Sequence, residues 1–168
     1  MIGLGISLRP RGAPRLPAET GYVARYWRLF FPYANPVTPA DYIAVGRVWM
    51  YRKGERLSYE SATGFDQSSM YSNRSARVAF QTTQNVPATP ADSWTCSAAG
   101  MQNQWIKVDF GIDAAIDEIV VLPVTYNNRT PETIVVQASS DGATWQDVGA
   151  LQSKWGSDSQ AIQISASS

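Results

Sequence analysis

Between residues 104 and 148 the chain alternates apolar and polar side chains with a period of two, and this pattern leaves few folds open. Ile106, Val108 and Phe110 fall on one side; Trp105, Lys107 and Asp109 fall on the other. Successive side chains of a strand leave opposite faces, so such a run belongs to a strand with one buried face. Residues 116–122 and 133–139 repeat the theme, and residues 144–148 begin another run. Gly111 and the Asp141-Gly142 pair predict chain reversals, since Gly accepts positive φ and Asp bonds its own turn backbone. Upstream, residues 22–31 and 42–51 predict two further strands, the second ending in a Lys53-Gly54 turn. A last short strand is expected at residues 161–164.

Composition agrees with an all-β chain and narrows the chemistry. Aromatic residues make up 11% of the 168, a load that suits the pleated surface of a sheet. The length fits one domain that buries its own core without staples. Net charge is zero, so no general attraction to nucleic acid is expected. There is no histidine, so no imidazole base, no Ser-His-Asp triad and no His-ligated metal can be built. Cys96 is the single cysteine, which excludes an intrachain disulfide and a cysteine zinc cluster; a buried, inert thiol is expected. Asp117 and Glu118 are neighbours, but adjacent strand residues face apart and cannot flank one substrate bond. An enzyme is therefore not expected. No run of apolar residues approaches a membrane span, so no insertion is expected. The first residues lack a charged segment followed by an apolar run, so a secretory signal is not expected either.

The run Gln104-Trp105-Ile106-Lys107-Val108-Asp109-Phe110-Gly111 resembles the discoidin family when read with the Ile-Val-Val of residues 119–121 and the Asp141-Gly142…Trp145…Val148 ending. These are the coagulation-factor C-type domains and their bacterial relatives, the galactose-binding-like sandwiches. The likeness spans about residues 22–164 and is most specific at 104–148. It implies a jelly-roll β-sandwich that binds sugars, lipid headgroups or proteins through loops at one end, without catalysis. In many such domains a segment similar to residues 24–51 closes the chain; here it opens it, so the topology resembles a circular permutation. Domains of that form are familiar from bacteriophage tail and other virion proteins. The family loop near Ala79-Phe80 often holds a structural calcium. Here Gln81 stands where a carboxylate is expected, so no metal and no cofactor is expected, although Asp66 and Asp92 offer substitute oxygens.

Residues 1–20 differ from the domain at 21–168. Pro10, Pro14 and Pro17 remove backbone donors and disfavour helix and central strand, and Arg9, Arg11 and Arg15 make the segment basic. Ile2, Leu4, Ile6 and Leu8 alternate as the side chains of an added strand do. An extended arm docked on neighbouring subunits of an oligomeric assembly is expected. Two stretches are candidate ligand sites. Tyr126-Asn127-Asn128-Arg129 offers a ring face and hydrogen-bond donors to a sugar, or is a polar turn before Pro131. Trp155, beside Gly156 in a Ser-rich loop, offers a stacking platform, or folds back on the core. The expected function is a non-enzymatic phage virion component of the tail, baseplate or fibre region, made in the host cytoplasm. It would join the particle through its arm and contact host-surface glycan. A carbohydrate-binding module and a capsid decoration protein are the alternatives.

Overall fold

The computed structural model describes residues 21–33, 42–81, 92–124, 129, 131–152 and 159–164. Strand β1, Tyr22–Phe31, is the centre of the larger sheet. It lies antiparallel between β7, Gln104–Ile116, and β9, Thr133–Ser139. β5, Gly64–Gln67, and β10, Gln146–Gln152, form the two edges, giving the order β10-β9-β1-β7-β5. The alternation explains which face is inside. Trp27, Leu29 and Phe31 of β1, Ile106 and Val108 of β7, and Ile134 and Val136 of β9 are fully buried. Their neighbours Arg28, Phe30, Trp105, Lys107 and Gln137 remain half-buried on the outer face.

The second sheet has the order β11-β8-β3-β4. Its strands are β3, Arg47–Arg52, β4, Glu55–Arg56, β8, Glu118–Leu122, and β11, Gln160–Gln163. Val48, Met50, Ile119, Val121 and Ile162 point from it into the same core. The two sheets thus close an all-β sandwich, as expected from the sequence. Lys53 and Gly54 have φ of 53° and 79°, two consecutive left-handed residues that match the twist of the β3–β4 hairpin.

Two expectations about glycine need correction. The strand expected over residues 42–51 is broken at Gly46 into β2, Ala44–Val45, and β3. Gly46 donates to the Leu122 carbonyl at 2.9 Å, and a Cβ there would collide with the Pro123 carbonyl oxygen. The second concerns Gly111, which does not reverse the chain. It lies inside the 13-residue β7 with φ +75°. There Ala24 pairs with Ala114 while Tyr26 pairs with Asp109, so residues 110–113 bulge opposite Arg25. The Asp141-Gly142 turn forms as expected, but it extends through Trp145 and β10 starts only at Gln146. Asp141 Oδ1 accepts from the Ala143 and Thr144 amides, both at 2.8 Å.

One end of the sandwich is plugged by a two-stranded ladder, β2 with β6, Trp94–Thr95. Trp94 is fully buried, stacks on Phe31 at 5.5 Å, and donates its indole N–H to the Ser69 carbonyl. Cys96 is buried, as expected, and its Sγ accepts from the Ile43 amide at 3.2 Å. A single helical turn, α1, Ala76–Ala79, seals the side next to β5.

Candidate functional site

The plug carries a small pocket. Tyr42 lies two residues before β2, and Thr95 belongs to β6. The Ala44 amide donates to the Arg129 carbonyl at 2.7 Å, which ties Arg129 to the outer side of β2. The Tyr71 amide donates to the Thr95 carbonyl at 2.8 Å, and the Arg74 amide closes a turn on Tyr71 at 3.1 Å. Main-chain bonds at one buried ladder therefore position Tyr71, Arg74, Thr95 and Arg129, and Tyr42 completes the lining. The pocket holds about 210 Å³. Drug-sized sites begin near ~300 Å³, so this one has room for a single ring.

The side chains form two aromatic–cation pairs that face each other. The Tyr42 and Tyr71 rings meet edge to face at 5.2 Å between centroids. The guanidinium of Arg129 lies 5.4 Å over Tyr42, and that of Arg74 lies 5.2 Å over Tyr71. Stacking of this kind holds a planar guanidinium in place. Tyr71 is 41% exposed in a Ser/Asn-rich loop, so the aromatic surface is open to a ligand. The arrangement can present fixed N–H donors beside aromatic edges.

A larger depression of about 400 Å³ lies on the flank between β5 and α1. Its aromatic walls are already committed: the Tyr59 hydroxyl donates to the Val48 carbonyl at 3.0 Å, and Phe65 stacks on Phe80 at 5.7 Å. The loop-end pocket, where the aromatic edges and guanidinium groups converge, is the better candidate.

The sequence reading reached this site through one residue. Arg129 lies in the pocket, while Tyr126, Asn127, Asn128 and Trp155 lie outside the described residues, as do the arm residues 1–20. Tyr42, Tyr71, Arg74 and Thr95 were not anticipated. Tyr71 carried a signal, an aromatic residue in a polar, Ser/Asn-rich stretch like the one that singled out Trp155; Tyr42, Arg74 and Thr95 carried none. Trp27 is core, and Trp105 and Trp145 are half-buried on the outer sheet face. The Arg28 guanidinium lies 4.1 Å over Trp145.

The described donors do not suit a calcium ion. Asp66 is ion-paired with Lys107 at 3.3 Å on the outer face of the sheet. Asp92 turns its backbone carbonyl to the Arg47 guanidinium. Among the described residues no group of three or more Asp, Glu, His or Cys could hold a metal ion.

Comparison with known proteins gives one family. The model of the NedA-like, galactose-binding domain matches residues 71–168, more than half of the chain. No curated protein and no solved structure matches it. The matched region contains Tyr71, Arg74, Thr95 and Arg129, four of the five pocket residues, together with strands β6 to β11. The chain belongs to the NedA-like galactose-binding domain family.

Proposed function

We propose that the chain is a non-catalytic carbohydrate-binding module whose sugar site is the loop-end pocket. The observation that carries this reading is the facing Tyr42 and Tyr71 pair, 5.2 Å apart and each beside a guanidinium, at the rim of a galactose-binding-like sandwich. Aromatic edges offer apolar contact to the C–H face of a sugar ring, and the arginines donate to its oxygens. A sequence without histidine and with one buried cysteine favours binding over catalysis. The test is a galactoside-bearing glycan array followed by calorimetry on the full chain. Tyr71→Ala, at an exposed position, is expected to weaken binding by about tenfold or more with unchanged near-ultraviolet circular dichroism. Unaltered affinity in Tyr71→Ala, or no sugar bound by the wild type, would reject the reading.

The arm's sequence supports a second part of the reading, that the module is a component of a phage particle. Alternating Ile2, Leu4, Ile6 and Leu8 suit strand addition to a neighbouring subunit, and the three prolines keep the following segment extended. Such a component would sit in the virion and carry the sugar site toward a host surface. Deleting residues 1–20 is expected to leave a folded domain that fails to join the assembly; incorporation at the wild-type level would remove this part.

A further inference from the structure

The flank depression of about 400 Å³ is lined by one carboxylate and one guanidinium, Glu60 and Arg77. Neither side chain has an ion-pair or hydrogen-bond partner among the described residues, and the two do not pair with each other. Both stand on backbone that is tied to the core. Glu60 follows the buried Tyr59, whose carbonyl accepts from the Ala62 amide at 3.1 Å and closes the turn. Arg77 belongs to α1, where Ala76 and Ala79 are fully buried and the Ala76 amide donates to Gln67 Oε1 at 2.9 Å. The fold therefore holds opposite charges in one cavity, on separate elements that do not let them meet.

The hydroxyls of the lining add groups that work in both directions. The Ser75 side chain caps no amide of α1. Thr63 donates its hydroxyl to the Asp109 carbonyl at 3.3 Å, which leaves the oxygen's lone pairs as acceptors. Glu60 and Arg77 cancel, so the lining carries no net charge, and a simple anion or cation meets a like charge as well as an opposite one. A sugar hydroxyl both donates and accepts, so it serves the carboxylate and the guanidinium alike without bringing charge. Tyr59 and Phe65, edge to face at 6.3 Å, give the cavity a fixed apolar wall. The volume lies within the ~300–1,000 Å³ of ligand sites. The loop-end pocket of about 210 Å³ takes one ring, so this cavity has room for two.

We infer that the flank depression is a second saccharide site, which takes a neutral disaccharide unit through Glu60 and Arg77; this rests on the carbohydrate reading of the chain but not on the loop-end pocket. The full chain, labelled with nitrogen-15, is titrated with lactose and, separately, with the zwitterion β-alanine while its amide signals are followed by NMR. Thr63 and Gly64 report on the flank, Ala44 and Thr95 on the loop end. Lactose is expected to shift the Thr63 and Gly64 amides, and β-alanine to leave them in place. Glu60→Gln and Arg77→Gln, both at exposed positions, are each expected to weaken the flank response about tenfold, the worth of one hydrogen bond to a charged group. Tyr71→Ala is expected to leave the flank response unchanged; the wild-type titration decides the matter even if a variant fails to fold. Shifts confined to Ala44 and Thr95 would overturn the inference and leave the loop-end reading intact. Flank shifts with β-alanine but not with lactose would overturn it as a saccharide site. Lactose that moves neither pair of amides would overturn it too, and the glycan array then decides the loop-end reading by itself.

Discussion

Arg25 and Asp109 show how one ion pair holds an irregular strand. Arg25 Nε and Nη2 donate to the two carboxylate oxygens at 2.8 and 3.0 Å, and the Gly111 amide donates to Oδ1 at 2.7 Å. The pair spans the bulge, and the Arg25 bonds together with the Gly111 amide hold the Asp109 carboxyl down at about 2. An unfolded Asp titrates near ~3.9, so the folded state favours the charged form. The resulting stability is present above about pH 4 and is lost as pH falls toward about 2. Asp109→Asn should therefore flatten the decline of melting temperature between pH 4 and pH 2; an unchanged acid limb would show that the pair adds nothing. Arg47 is a different case, a fully buried guanidinium whose Nη1 donates to the Gly46 and Asp92 carbonyls. Burial pulls its pKa down, yet it remains an internal cation. Arg47→Ala strands the buried Gly46 carbonyl, frees that of Asp92 and empties a fully buried site, and should cost on the order of 3 kcal/mol in urea unfolding. Chelator, by contrast, is expected to leave the melting temperature unchanged, because Gln81 and the paired Asp66 supply no calcium ligand set. A drop of several degrees on adding chelator would show a structural ion.

At the scale of single elements, the glycines decide where strands bend. Gly111 holds φ +75° within β7, and a Cβ there would lie 2.6 Å from Thr63 Cγ2. Gly111→Ala should destabilise by about 2 kcal/mol, combining left-handed strain with the methyl clash; a denaturant midpoint equal to wild type would mean the bulge relaxes freely. The same residues show what the sequence could reveal. β1 and β9 were legible to the residue, because apolar side chains at every second position leave only one register with a buried face. The break at Gly46 was not, because residues 42–51 read as one apolar run, and only the approach of the Pro123 carbonyl, 77 positions away in the chain, enforces it. Gly111 was legible as a backbone special but not as a bulge, since a turn and a bulge ask for the same positive φ. The pocket was legible only at Arg129. Tyr42, Tyr71 and Arg74 come from separate segments with no shared period, and their meeting depends on the β2–β6 ladder.

At the scale of the whole molecule, the family match and the folding unit have different boundaries. The matched region begins at Tyr71, which leaves β1 to β5 outside it. Yet β1 is the middle strand of the larger sheet, paired along one side with β7 and along the other with β9. Without it the sheet divides into a β9–β10 hairpin and the lone β7, since β5 is also missing. The core loses Trp27, Leu29 and Phe31, each fully buried, and from the second sheet Val48 and Met50. Burying such a side chain is worth ~1.5–3 kcal/mol, so five of them contribute roughly 10 kcal/mol, comparable to the ~5–15 kcal/mol of a typical domain. Residues 71–168 alone are therefore expected to lack a cooperative unfolding transition and dispersed amide signals, whereas residues 21–168 are expected to keep both. Co-expressing residues 21–70 with residues 71–168 should restore the fold in part, because β1 makes main-chain bonds along both its sides. A cooperatively folded 71–168 fragment would show that the sandwich closes without its central strand, and that the pocket, which also takes Tyr42 from the first segment, is an addition to a complete domain.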